Sequence, residues 1–150
     1  MHIAIGSDHA GLVLKGALKG YMKRLGYRVT DFGTFSEESC DYPDYAVRVA
    51  KAVADKTFQR GVLICNTGIG MAIAANKVSG VRAALCWDMQ TARSASSHNK
   101  ANVLCLSQKL TSLDKAKKML KVWIDTPFSG GRHLRRVKKI SSIEKKYLEK

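Results

Sequence analysis

Five short apolar runs, each followed by a stretch with helical spacing, constrain this chain more than any other feature. The runs are HIAIG (2–6), YRVTDFG (27–33), RGVLIC (60–65), VRAALC (81–86) and NVLCL (102–106). Between them, HAGLVLKGALKGYMKRLG places Leu12, Leu14, Leu18, Tyr21, Met22 and Leu25 at mostly helical intervals. YAVRVAKAVADK, MAIAANK, DMQTARSASSHN and SLDKAKKMLKVWID fill the other gaps in the same way. Strands separated by helices imply a parallel sheet with right-handed crossovers. RGVLIC is apolar without a break, as a strand buried on both faces should be. The expected fold is α/β: a three-layer, Rossmann-like arrangement around a five-stranded parallel sheet, with residues 1–150 as a single domain.

Local signals agree with this order. Gly26 stops the first helix, Pro43 in DYPDYA sits just before the second one is expected to begin, at Tyr45, and Asp88 is placed to cap the fourth. TPFSGGRH breaks the chain before a basic segment, LRRVKKISSIEKKYLEK, read as a last helix. Leu134, Val137, Ile140, Ile143, Tyr147 and Leu148 form one stripe on it, expected to pack on a partner subunit.

The N-terminus has no basic stretch ahead of an apolar one, and no apolar run approaches the roughly 18 residues of a membrane span. A cytoplasmic protein with no membrane partner is expected. Cys40, Cys65, Cys86 and Cys105 include no CxxC pair, so neither a zinc site nor a redox motif is indicated. The net charge is +14, of which the 42 residues from Lys109 onward carry +9. Such a field favours anionic partners, a phosphorylated metabolite among them.

Ligands of open parallel sheets bind beyond the carboxyl ends of the strands. That rule gathers GSDHAG, DYPDY, CNTGIG and WDM on one edge. CNTGIG is the most informative of these. Cys65 ends a strand, and Gly68 and Gly70 strip the following turn of side chains, so backbone N–H groups can approach an anion. A thiol in that setting can act as a nucleophile or a base. Dinucleotide binding fits poorly, because Ile73 stands where close helix packing requires Gly or Ala. Asp8 and His9 could hold hydroxyls, His98 suits proton exchange near neutrality, and Arg132 and Arg136 share a helix face as a phosphate clamp would.

IGSDHAG, DYPDYA, LICNTGIGMAIAANK, SHNKANVL and GGRHLRRV together resemble the ribose-5-phosphate isomerase B family, which also includes galactose-6-phosphate isomerase subunits. The resemblance implies interconversion of ribose 5-phosphate and ribulose 5-phosphate through an enediolate, with no metal or organic cofactor. It makes Cys65 the base, with His98 and Thr67 opening the sugar ring. Backbone N–H groups of Asn66, Thr67, Gly68, Ile69 and Gly70 would stabilise the anion. Asp8, His9 and Asn99 would hold hydroxyls, Tyr42 would border the pocket, and Lys109, Arg132 and Arg136 would bind the phosphate. It also implies a homodimer or tetramer whose sites draw on two subunits. Two positions depart from the family pattern: Asn66 replaces the usual Gly, and Lys109 the usual Arg. A six-carbon sugar phosphate is the alternative substrate. A nucleic-acid partner is not expected, because the basic segment has few aromatic residues for stacking.

Overall fold

β3 (Arg60–Cys65) runs through the middle of the sheet, and every residue in it after Arg60 is buried. The computed structural model describes residues 1–148. Within them β1 (His2–Ser7) and β5 (Val103–Ser107) flank β3, while β2 (Arg28–Asp31) and β4 (Ala83–Leu85) form the edges. The order is β2-β1-β3-β5-β4, and all pairings are parallel.

The period of two along each central strand divides the core. Ile3, Ile5, Val62, Ile64, Leu104 and Leu106 point to one face, where α1 (Leu12–Arg24), α4 (Met89–Ser97) and α5 (Leu113–Asp125) cover them. Ala4, Leu63, Cys65, Val103 and Cys105 point to the other, beneath α2 (Tyr42–Ala54) and α3 (Ile69–Ala75). Each large aliphatic chain withdrawn from water in this way contributes about 1.5–3 kcal/mol. The three-layer arrangement expected from the sequence is therefore present.

Element ends shift for local reasons. α2 begins at Tyr42, so Pro43 lies inside its first turn, where a missing N–H costs no helical bond. Asp88 caps α4 through the Thr91 N–H at 2.7 Å, and the Thr91 hydroxyl returns the contact as a capping box. Gly26, with φ of 83°, ends the turn after α1 in a conformation that favours glycine. β4 has an open edge, and the Asn76 side chain partly closes it. Asn76 donates to the Ala83 carbonyl at 2.9 Å and accepts from the Ala83 N–H at 2.8 Å.

α6 (Gly131–Tyr147) starts directly at the Gly-Gly break, three residues before the sequence pattern places it. Residues 149 and 150 of the expected helix lie outside the described residues. Its stripe is mostly unburied on the chain's own body. Val137 is covered, while Leu134, Ile140, Ile143, Tyr147 and Leu148 remain 39–61 % exposed. Among the described residues no helix is long and apolar enough to cross a membrane.

Two glycines of the first helical segment provide a test. A Cβ on Gly11 would lie 2.5 Å from the Ile64 carbonyl oxygen, whereas one on Gly16 meets nothing within 4 Å. Gly11→Ala should lower stability by about 1–3 kcal/mol, through overpacking against rigid backbone. Gly16→Ala should raise it by up to about 1 kcal/mol. Urea midpoints of the two variants check the pair.

Candidate active site

The carboxyl ends of β1 and β3 are neighbours, and the helices that follow them leave for opposite faces of the sheet. This opens a crevice at the strand ends, the usual place for a ligand in such sheets. Asp8 leaves β1 into it and caps a 3-10 turn (His9–Gly11), its Oδ1 accepting the Gly11 N–H at 3.0 Å. His9 is half-buried, and its Nδ1 accepts the backbone N–H of Cys40 at 3.2 Å. That acceptor role places the neutral ring's proton on Nε2, as a donor for something outside.

Cys65 ends β3 with its side chain 5 % exposed. The Gly68 N–H donates to its Sγ at 3.1 Å. Gly68 has φ of 79°, and a Cβ there would stand 2.6 Å from Leu85 Cδ1 and 3.0 Å from the Leu106 carbonyl. Both the conformation and the space demand glycine. A Cβ on Gly70 would meet the Tyr42 ring at 2.6 Å, so Tyr42 lies directly over the start of α3. Thr67 Oγ1 accepts the Ile69 N–H at 3.3 Å, which leaves its own hydrogen free to donate. Among the described residues the Thr67 and Gly70 N–H groups have no partner.

The turn is held from behind by the end of β5. The Ser107 hydroxyl donates to the Asn66 carbonyl at 2.6 Å, and the Lys109 N–H reaches the same oxygen at 3.2 Å. The Gln108 N–H donates to the Cys65 carbonyl at 3.0 Å. Asn66 is exposed at the mouth of the site. A groove of about 270 Å³ opens beside Thr67 and Ile69, between Trp87 and Leu110. Two more buried thiols lie in the sheet, Cys86 just after β4 and Cys105 in the middle of β5. Burial pushes the Cys86 thiol up to about 11, and burial also pushes the Cys105 thiol up.

The remaining sequence-predicted residues lie elsewhere. α4 runs back across the sheet, so His98 and Asn99 come to the amino ends of the strands. There Arg60, the first residue of β3, donates to Ser96 Oγ at 3.4 Å and to the Ala101 carbonyl at 2.7 Å. The segment before α6 docks on the same corner, the Ser129 N–H donating to the Ser97 carbonyl at 2.9 Å. This brings His133 onto His98, with ring centroids 4.2 Å apart and planes 2° from parallel. Arg132 and Arg136 are exposed beside them. Asn99 borders a groove of about 450 Å³ between α6 and the β4 edge.

The candidate residues thus form two groups. Asp8, His9, Tyr42, Cys65, Asn66, Thr67, Gly68, Ile69, Gly70 and Lys109 share the carboxyl edge. His98, Asn99, Arg132 and Arg136 share the amino edge, with His133. The six residues of β3 span about 20 Å between the two. One chain does not bring the sulfur and the arginines together. In the sequence His133 is only the residue that follows Arg132. Its stacking on His98 depends on the docking of residues 129–131, which no local pattern reveals.

Burial, His98, Arg132 and Arg136 together hold the His133 pKa below the ordinary histidine range. An NMR titration should find its midpoint below 6.5, the ordinary value for histidine. Arg136→Ala should raise that midpoint, since a nearby cation opposes protonation. A midpoint unmoved by the change would show the arginine to be electrostatically remote.

The sequence profile of the ribose/galactose isomerase family matches residues 3–140. The chain is 42% identical over 144 residues to ribose-5-phosphate isomerase B of Escherichia coli, covering 96% of this chain and 97% of that one. Among solved structures, ribose-5-phosphate isomerase B of Clostridium thermocellum is 49% identical with a TM-score of 0.97, over 98% of this chain and 99% of that one. The enzyme of the same name from Mycoplasma genitalium, solved with bound ribulose-5-phosphate, is 42% identical with a TM-score of 0.93 over 96% of both chains.

Proposed function

The chain belongs to the ribose/galactose isomerase family, and from that premise we infer that it interconverts ribose 5-phosphate and ribulose 5-phosphate. The observation that carries this reading is its likeness, along nearly the whole chain, to an isomerase that holds ribulose-5-phosphate. The carboxyl-edge geometry suits the chemistry. As a thiolate, Cys65 takes the proton from C2 of the open-chain aldose. The C–H pair becomes the C1–C2 double bond, and the carbonyl pair moves onto O1. The thiol then returns a proton to C1, while the O2 proton passes to O1 and C2 becomes the carbonyl. The Gly68 N–H is a partner for the charge on sulfur, and the free N–H groups of Thr67 and Gly70 are partners for the enediolate oxygens. Asp8 and the Nε2–H of His9 are matched to sugar hydroxyls.

Ring opening and phosphate binding fall mainly to the other group, joined by Thr67 and Lys109 of the carboxyl edge. His98 passes a proton between the anomeric hydroxyl and the ring oxygen as the C–O bond breaks, with help from the Thr67 hydroxyl. Arg132 and Arg136, and Lys109 as a point charge, take the phosphate. Two groups about 20 Å apart act on one small sugar only if a second copy of the chain supplies one of them. We therefore place each site between two subunits, with Cys65 from one and His98 from the other. The exposed stripe of α6 is consistent with such an association.

Two measurements test this. In deuterium oxide, ribulose 5-phosphate formed from ribose 5-phosphate should carry deuterium at C1, and Cys65→Ala should form none. Turnover of allose or galactose 6-phosphate but not of ribose 5-phosphate would reassign the substrate. The second measurement mixes two inactive variants, Cys65→Ala and His98→Asn, unfolded and refolded together. Random pairing into dimers should restore about a quarter of the parental rate, since half of the pairs are mixed and each mixed pair holds one intact site. No recovery on mixing would put both residues in the same subunit's site.

A further inference from the structure

Lys15 lies on α1 with its side chain 2 % exposed, a depth at which lysine is rarely found. Its Nζ donates to Asp31 Oδ1 at 2.8 Å and to the Thr34 carbonyl, and lies 4.7 Å from the centroid of Phe35. The Asp31 side chain is well supplied, for Lys19 donates to Oδ2 at 2.9 Å and the Gly33 N–H to Oδ1 at 3.0 Å. Burial pushes this carboxyl up, but bonds from Lys15, Lys19 and Gly33 outweigh it and hold the pKa below the usual range. A buried ion pair returns little more than its desolvation costs, so stability alone is a poor account of this one.

The ammonium's other hydrogen bond, to the Thr34 carbonyl, points to another role. Thr34 continues the pairing of β1 beyond its formal end. Its N–H donates to the Ser7 carbonyl at 2.6 Å, and the Ser7 N–H donates to Gly33 at 2.7 Å. Ser7 immediately precedes Asp8 and His9. The far end of the same loop returns to the site, where the Cys40 N–H meets His9 Nδ1 and Tyr42 covers Gly70. Residues 32–41 therefore form one wall of the crevice, fastened at one end beneath Lys15 and at the other on His9.

We propose that Lys15 is a positioning residue for the carboxyl-edge site. By clamping the Thr34 carbonyl it holds the 32–41 wall so that the Cys40 N–H keeps His9 in its Nε2-protonated form. It touches no substrate itself. The kinetic part of its test rests on the isomerase reading, and the spectroscopic part does not.

Lys15→Met keeps the apolar stem and removes the donor. Lys15→Met/Asp31→Leu removes both charges, leaving no buried carboxylate short of a partner, and keeps the test available should the single variant fail to fold. Nitrogen-15 NMR of the His9 ring, without substrate, should show Nε2 protonated in the parent and both tautomers in the variants. With ribose 5-phosphate, KM should rise about tenfold while kcat stays within about threefold, as loss of uniform binding requires. A merely structural lysine would lower the melting temperature and the active fraction, and would move neither KM nor the His9 nitrogens. Parental His9 signals in a folded variant overturn the proposal. Should the parent itself not turn over ribose 5-phosphate, the isomerase reading falls, and the His9 spectrum still decides the role of Lys15.

Discussion

The pairing of β3 with both β1 and β5 is the constraint on which the rest depends. Its register sets Ser7 opposite Ile64 on one side, and Cys65 opposite Ser107 on the other. A single strand end thereby receives three loops. The first brings the 3-10 turn against the Ile64 carbonyl, where only a glycine fits. The second is the continuation of β3 itself. The third, after β5, pins the Asn66 carbonyl with a hydroxyl and an N–H. A one-residue slip of β3 against its two neighbours would turn the Cys65 side chain to the other face of the sheet. The position of the sulfur is thus a consequence of sheet register, and the glycines are what allow the loops to converge on it.

Much of this was legible in the sequence, and the reasons are specific. The unbroken run RGVLIC reports a strand covered on both faces, and β3 has that environment. Asp88 and Pro43 mark helix starts because their chemistry is local, and both lie in first turns or caps. CNTGIG betrays a bare turn since side chains are missing where backbone must approach. Order within the sheet was not legible. Nothing in NVLCL says that β5 lies between β3 and β4, because that choice is made by helices α4 and α5 covering one face together. Lys15 was invisible for a related reason. In sequence it reads as one more lysine on a helix, and only the fold brings Asp31 and Thr34 to it.

The separation of the candidate residues into two groups follows from topology. In a parallel sheet every strand-to-helix loop lies at the carboxyl edge, and every helix-to-strand loop at the amino edge. Cys65 ends a strand at the carboxyl edge, Asp8 follows another there, and Tyr42 opens the helix after a loop of the first kind. His98 and Asn99 belong to the second kind. No rearrangement of side chains can close a gap set by the length of the strands. A chain of this topology that draws on both edges for one small substrate must meet another copy, amino edge to carboxyl edge. The same geometry accounts for a basic amino-edge corner that holds two arginines without an ion-pair partner among the described residues, and a stacked histidine whose pKa they help to lower.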